Sequence, residues 1–173
     1  KVRRLICLDR NNGKVLWTRE AHFAFRHNAI VAGEGLLFAI DRLPDTIVAL
    51  MLRRGRKPTG KPRLVAYDAK TGKEAWSTTE GVFGTWLGYS KQHELLLQCG
   101  RPARDMLKDE PADRMIVYRG SDGKIRWDKK LKYGGPCLLR GETIMTQGAA
   151  VSLLTGEVMT RTNPLTGLTQ PWG

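Results

Sequence analysis

The sequence predicts an all-β protein that forms part of a β-propeller. Two observations lead to this prediction. A strand–turn–strand pattern recurs along the chain, and a tryptophan follows each well-preserved turn at one fixed spacing. The 173 residues are 41% hydrophobic and 27% charged, which is typical of a globular chain rather than a disordered one. The chain also lacks the roughly 20-residue apolar run that a membrane-spanning helix requires.

The repeat occurs in three clear copies and one degenerate copy. Each clear copy contains an apolar strand, a glycine followed by lysine, and a tryptophan four residues after the glycine. These copies occupy residues 5–17, 64–76 and 115–127. In the degenerate copy, Ser152 replaces the aspartate and Thr160 replaces the tryptophan. The irregular spacing scatters around the roughly 40–50 residues of a four-stranded propeller blade.

Three residue types carry the repeat. An aspartate can accept hydrogen bonds from turn amides, and a glycine can adopt the positive φ that a short hairpin connection requires. A tryptophan at one equivalent position can bury a large ring between adjacent sheets. The predicted structural motif comprises Asp9, Gly13, Trp17, Asp68, Thr71, Gly72, Trp76, Gly123, Trp127 and Gly156. We expect Trp76 and Trp127 to be largely buried, and Trp17 to be more exposed because its partner blade is mostly missing.

A second hairpin pattern lies between the turns, so that each repeat supplies four strands. The resulting prediction is an open arc of about three four-stranded antiparallel blades plus strands of a further blade. Residues 1–20 end one blade, residues 28–77 and 84–128 form two blades, residues 135–160 form a degenerate blade, and residues 161–173 begin the next segment. No sustained 3.6-residue apolar period supports a βαβ alternative. We interpret both ends of the chain as cuts.

The turn motif resembles the tryptophan-docking repeat of pyrroloquinoline quinone (PQQ) type propellers. The best match is Asp68 to Trp76, and the resemblance extends from residue 5 to about residue 160. The family includes quinoprotein alcohol dehydrogenases and non-enzymatic envelope proteins that bind no cofactor. The resemblance therefore implies an architecture and a periplasmic or cell-envelope location more directly than it implies an activity.

The net charge of +12 is partly concentrated between residues 53 and 63. This Pro/Gly-rich run contains Arg53, Arg54, Arg56, Lys57, Lys61 and Arg63 and no acidic residue. It cannot build its own core, so we expect an exposed, protruding loop between strands that could bind an anion. We favour a solvated insertion, and the alternatives are an anionic polymer or lipid as ligand, and DNA, because residues 54–58 resemble a degenerate AT-hook. The run lies inside a blade and matches the central AT-hook motif imperfectly, and both observations argue against DNA binding.

A second insert, residues 101–114, suits a short helical turn or an ordered rim loop. Its acidic residues lack the spacing of an EF-hand, so we expect no metal there; they are Asp105, Asp109, Glu110 and Asp113. The imidazoles of His22, His27 and His93 are expected in ordinary polar roles. The three cysteines Cys7, Cys99 and Cys137 form no CxxC motif and are expected to pack as small apolar side chains.

The sequence contains no complete catalytic constellation, and hydrolase and nucleotide-binding motifs are absent. We therefore expect a non-catalytic binding or scaffold module without a cofactor. Its partners would be the remaining blades of the parent chain and another protein or an anionic polymer. The alternative is part of a quinoprotein oxidoreductase whose PQQ and calcium are held by other blades. The adjacent-cysteine pair of several enzymes in that family is absent from this chain.

Overall fold

The computed structural model describes residues 2–100 and 113–160 of the chain. The chain forms two compact units, Lys1–Val82 and Phe83–Gly173. The described strands assemble into three antiparallel sheets, one with five strands and two with four. The predicted all-β class is therefore confirmed.

The first unit consists of one five-stranded sheet and one helix. Its elements are β1 (Val2–Leu8), β2 (Val15–Gly33), β3 (Leu36–Asp41), α1 (Asp45–Arg53), β4 (Arg63–Asp68) and β5 (Glu74–Thr78). The sheet has the order β1-β2-β3-β4-β5. The long strand β2 pairs with β1 up to Phe25 and with β3 from Phe25 onward, with a register shift before Ile30. It joins the predicted segments 1–20 and 28–77 without a break, and the blade boundaries remain predictions.

The end of β3 is anchored to the middle of β2 through the buried side chain of Asp41. Its carboxylate accepts hydrogen bonds from the backbone amides of His22 at 2.6 Å, Phe23 at 2.9 Å and Ala24 at 2.9 Å. The amide of the next residue, Arg42, donates to the carbonyl of Ala24 at 3.0 Å. Because three donors replace the water that the carboxylate loses, the buried charge is tolerated. The anchor fixes the position at which the chain leaves β3 for α1.

Helix α1 was not predicted from the sequence. It begins after Pro44 and ends at Arg53; the left-handed Gly55 (φ +66°) follows, and the Arg56 amide bonds to the Met51 carbonyl at 2.9 Å. A proline before the first turn and a glycine just past the last are helix boundary signals. Nine residues are too few to show a sustained apolar period, which explains why the helix was not predicted. In the described part of the chain, no helix is long and apolar enough to cross a membrane.

The second unit consists of two four-stranded sheets. The first contains β6 (Trp86–Ser90), β7 (Leu95–Cys99), β8 (Arg114–Arg119) and β9 (Ile125–Lys130), and the second contains β10 (Gly134–Arg140), β11 (Thr143–Gln147), β12 (Ala149–Ser152) and β13 (Val158–Thr160). Both sheets keep sequential strand order. One buried cluster combines Leu97 and Val117 of the first sheet with Ile144 and Val151 of the second. The two sheets therefore share one hydrophobic core.

The connection between β7 and β8 is closed at its base by Tyr133. The Tyr133 hydroxyl accepts a hydrogen bond from the amide of Gly100 at 2.8 Å and donates one to the carbonyl of Arg114 at 3.2 Å. The corresponding connection between β11 and β12 is Gly148 alone, with φ +94°. Between β3 and β4 the chain instead inserts residues 42–62, including α1. A single residue is thus enough to join these strands, and the longer connections are additions to the sheet.

Candidate functional site

The four repeat turns share one backbone arrangement. The first residue of each turn donates its amide to the carbonyl five residues later at 2.8 Å, and the glycine amide returns to the carbonyl of the first residue at 2.7–2.9 Å. The φ angles of the four glycines lie between +65° and +72°. The first residues are Asp9, Asp68, Arg119 and Ser152, and the glycines are Gly13, Gly72, Gly123 and Gly156. The turn therefore depends on the glycine and not on the aspartate.

Side chains close these turns in different ways. The Asp68 carboxylate accepts from the Thr71 hydroxyl and amide, both at 2.7 Å, and the hydroxyl bond is the main reason that the pKa of Asp68 is lowered. In the third turn Arg119 occupies the aspartate position and pairs with Asp122, whose pKa is lowered chiefly by this hydrogen bond. The sequence analysis did not identify Arg119 as a turn residue. An ion pair here replaces the aspartate–threonine hydrogen bond.

Each turn is followed by the same β-bulge. The cross-strand partners change from Leu8–Val15 to Cys7–Trp17 in the first hairpin, and equivalent register shifts precede Trp76, Trp127 and Thr160. One extra residue reverses the face to which later side chains point. The bulge therefore places each tryptophan on the face opposite the one that an unbroken ladder would give. The extra residues are Leu16, Ala75, Arg126 and Met159, which have no common side-chain type.

Two tryptophans pack on the glycine of the following turn. A Cβ added to Gly72 would lie 2.6 Å from Cδ2 of Trp17, and one added to Gly156 would lie 2.9 Å from Cε3 of Trp127. The indole Nε1 of Trp17 donates to the carbonyl of Ala69 at 3.0 Å, and that of Trp127 to the carbonyl of Leu153 at 2.8 Å. Only a residue without a side chain fits under either ring. The glycine thus serves both the turn conformation and the ring contact.

Trp127 is buried as predicted, but Trp17 is not more exposed than the other repeat tryptophans. Trp17 and Trp127 are each 8% exposed, whereas Trp76 is half-buried, with its ring centroid 5.9 Å from that of Phe38. The expectation of a more exposed Trp17 was wrong. The reason is the direction of packing, because Trp17 is covered by the Gly72 turn that follows it and not by an earlier blade.

The predicted anion-binding residues do not form one loop. Arg53 is the last residue of α1, and Arg63 is the first residue of β4. The Arg63 guanidinium pairs with Glu74. Burial alone would raise the pKa of Glu74, but hydrogen bonds from Ser77 and Arg63 outweigh it, so the pKa is lowered. The exposed cations between α1 and β4 are Arg54, Arg56, Lys57 and Lys61.

A cleft lies between these basic residues and strand β2. A cavity of about 300 Å³ is lined by Phe23, Arg42, Leu43, Val48, Pro58, Gly60 and Pro62. A smaller cavity of about 180 Å³ adjoins it and shares Phe23, Leu43 and Pro58, with Arg3 and His22 also in its lining. We call the two cavities together the insert cleft. Its lining is mainly apolar, its charged lining residues are arginines, and the buried Arg42 is 6% exposed.

The histidines and cysteines lie on several different elements. His22 and His27 are exposed, and His93 Nε2 lies 3.4 Å from Glu142 Oε1 in the second unit. Cys99 and Cys137 are buried, Cys7 is half-buried, and all three are free thiols. Asp113 is exposed, whereas Asp105, Asp109 and Glu110, with the rest of the predicted rim loop, fall outside the described residues. Among residues 2–100 and 113–160, no three His, Cys, Asp or Glu side chains form a group that could hold a metal.

Comparison with known proteins identifies the family and the fold. The family model described as "Outer membrane protein assembly factor BamB" matches residues 1–170. Similar solved structures include BamB from Moraxella catarrhalis, with 12% identity, a TM-score of 0.54, and coverage of 87% of this chain and 41% of that one. No curated protein sequence matches the chain.

Two quinoprotein structures are similar to a comparable degree. The quinohemoprotein alcohol dehydrogenase ADHIIG from Pseudomonas putida HK5 has 14% identity and a TM-score of 0.58, covering 93% of this chain and 32% of that one. A europium-containing methanol dehydrogenase has the same identity and TM-score, covering 93% of this chain and 38% of that one. At these identities the similarities show the fold alone. They confirm a β-propeller segment, and the chain spans less than half the length of each of these proteins.

Proposed function

The chain belongs to the family described as outer membrane protein assembly factor BamB, and from this membership we propose that it is a non-catalytic binding or scaffold module of the cell envelope. The family combines one repeat architecture with different roles, so the role of this chain must be argued from its own surface. The proposal applies to this segment as part of the whole protein that its gene encodes.

The observation that supports this proposal is the insertion of residues 42–62 between β3 and β4. The equivalent strands β11 and β12 are joined by Gly148 alone, so the sheet does not need this insertion in order to form. The insertion instead creates the insert cleft and presents Arg54, Arg56 and Lys57 to solvent. Surface additions on a rigid repeat scaffold are where binding residues are usually found.

The charge of the insertion indicates the kind of partner. Between residues 42 and 63 the only acidic residue is Asp45, while arginines and lysines occupy the helix end, the loop and the start of β4. A surface of one sign attracts partners of the opposite sign and speeds their association. We therefore propose an acidic protein or an anionic polymer as partner, in addition to the remaining blades of the parent chain.

The alternative function is part of a PQQ-dependent or related oxidoreductase. In a quinoprotein, calcium is held by oxygen and amide ligands, and the quinone is stacked between flat groups. The described residues provide no cluster of acidic side chains for the ion. In this alternative the ligands come from other blades of the parent chain, and we derive no catalytic step through that site. We propose that this segment acts without a cofactor.

The two functions can be separated with the intact gene product. Titration with PQQ and calcium, followed by dye-coupled oxidation of methanol and ethanol, should show neither tight binding nor turnover. Deletion of the gene should lower the amount of assembled outer membrane protein, and a plasmid copy should restore it. Micromolar PQQ binding with turnover would support the oxidoreductase and refute the scaffold proposal. An unchanged amount of assembled outer membrane protein in the deletion strain would refute the scaffold proposal.

A further inference from the structure

The insert cleft has two features that are seldom combined on a solvated loop. Its lining includes the apolar residues Phe23, Leu43 and Val48, and the loop that supplies Pro58 and Gly60 also carries exposed cations. Phe23, Val48 and Pro58 all line the larger cavity. A solvated insertion would leave its apolar residues without a shared concave surface. The arrangement indicates a recognition site with an apolar pocket and a charged rim.

The cleft is formed by defined contacts. Asp41 fixes the amide of Phe23 at 2.9 Å, which places the Phe23 side chain beneath the insertion. A Cβ added to Gly60 would lie 3.3 Å from Cζ of Phe23, so the basic loop passes close over the ring. The left-handed Gly55 ends α1 and directs the chain into this loop. The site is thus preorganised, which lowers the entropic cost of binding.

The size and shape of the cleft favour a peptide. The larger cavity, about 300 Å³, lies at the lower limit of small-molecule pockets and suits one large apolar side chain. The adjoining cavity of about 180 Å³ extends it toward Arg3 and His22, so the site is elongated. An extended chain could place an apolar side chain in the first cavity and carboxylates beside the arginines.

We propose that the insert cleft binds a short acidic peptide segment of a partner protein that presents a large apolar side chain, a specificity that rests on the proposed scaffold function. The apolar side chain fills the cavity between Phe23 and Val48. Its neighbouring carboxylates pair with Arg54 and Arg56. Arginine is suited to this task because its planar guanidinium can bind a carboxylate through two hydrogen bonds.

The probe is a fluorescein-labelled peptide of sequence Glu-Asp-Leu-Phe-Glu-Asp, whose binding to the intact gene product is followed by fluorescence anisotropy. Val48→Trp fills the cavity and should weaken binding at least tenfold, while Ala49→Trp, on the exposed side of the same helix, should leave it unchanged. Arg54→Glu with Arg56→Glu should weaken binding at least tenfold. The control is Lys70→Glu with Lys73→Glu, two exposed cations on the second repeat turn. Circular dichroism checks that each variant is folded.

Two further probes decide between a specific cleft and a general anion-binding surface. A peptide with alanine in place of Leu-Phe, and one with Asn and Gln in place of the acids, should each bind at least tenfold more weakly. Equal binding of the alanine peptide, or an A·T-rich duplex that binds more tightly and displaces the probe, would overturn the proposal. So would equal binding to Val48→Trp and Ala49→Trp. If the peptide does not bind to a protein that still restores the deletion strain, peptide binding by the insert cleft is refuted and the proposed scaffold function is not.

Discussion

Replacement of Gly72 by alanine tests the contact between a tryptophan and the following turn. An L-residue in the left-handed region costs about 1–2 kcal/mol, whatever its surroundings. At Gly72 the new Cβ would also lie 2.6 Å from Cδ2 of Trp17, so the ring must move by about 1 Å to reach ordinary carbon contact distance. Such overpacking costs about 1–3 kcal/mol more. We expect Gly72→Ala to lower the free energy of unfolding by about 2–5 kcal/mol.

The matched control is Gly35→Ala. Gly35 has φ +75°, but an added Cβ there would meet no atom within 4 Å, so only the backbone cost of about 1–2 kcal/mol applies. Gly156→Ala should fall between the two, because its Cβ would lie 2.9 Å from Trp127 and not 2.6 Å. Urea denaturation of the intact gene product by circular dichroism, with hydrogen exchange across residues 64–78, measures the differences.

A double-mutant cycle isolates the ring contact. In a Trp17→Ala background the extra cost of Gly72→Ala over Gly35→Ala should disappear, since no ring remains to be displaced. If Gly72→Ala and Gly35→Ala differ by less than about 0.5 kcal/mol with Trp17 present, the ring contact contributes little and our account of the glycine is wrong.

Three further predictions concern single side chains. Asp41→Asn should cost about 2–3 kcal/mol, because one of the three backbone amides that bond the carboxylate would face the new NH₂ group, and Asp41→Ala should cost more in the same urea titration. Tyr133→Phe should cost about 1–3 kcal/mol by leaving the buried amide of Gly100 without its acceptor, and an unchanged urea midpoint would contradict this role. The lowered pKa of Asp68 stabilises the fold above the carboxyl's unfolded pKa, and this contribution is lost as pH falls through the folded value. Thr71→Val should therefore flatten the loss of stability as the pH falls below about 3.8, the ordinary value for this carboxyl, and urea midpoints measured across that fall would show it.

The repeat could be predicted because turn, strand and ring recur at fixed offsets. A glycine between two apolar strands, followed by tryptophan at one spacing, constrains the local backbone strongly. The β-bulge could not be predicted in the same way, since Leu16, Ala75, Arg126 and Met159 share no property that marks a bulge. The bulge is needed so that the tryptophan faces the core, and it can be recognised only from the pairing register of the two strands.

The insertion was predicted less well than the repeat. Charge and proline content indicated an exposed loop at residues 53–63, yet Arg53 ends a helix and Arg63 is paired with Glu74 in the sheet. Local composition does not show which cation meets a carboxylate distant in sequence. The insert cleft was missed because Phe23 and Val48 belong to different elements that only tertiary contacts bring together. The anion-binding role of the loop stays a prediction.

The forward packing of Trp17 on Gly72 and of Trp127 on Gly156 has a consequence during synthesis. A ribosome releases the tryptophan before the turn that will cover it, so the newest hairpin leaves the exit tunnel with an unshielded indole. Each new turn covers the tryptophan of the preceding hairpin, and its own tryptophan stays uncovered until the next turn is made. A pause at which Trp17 or Trp127 has left the tunnel, but the turn that covers it has not, should therefore leave an exposed aromatic surface, whereas a pause after that turn has emerged should not.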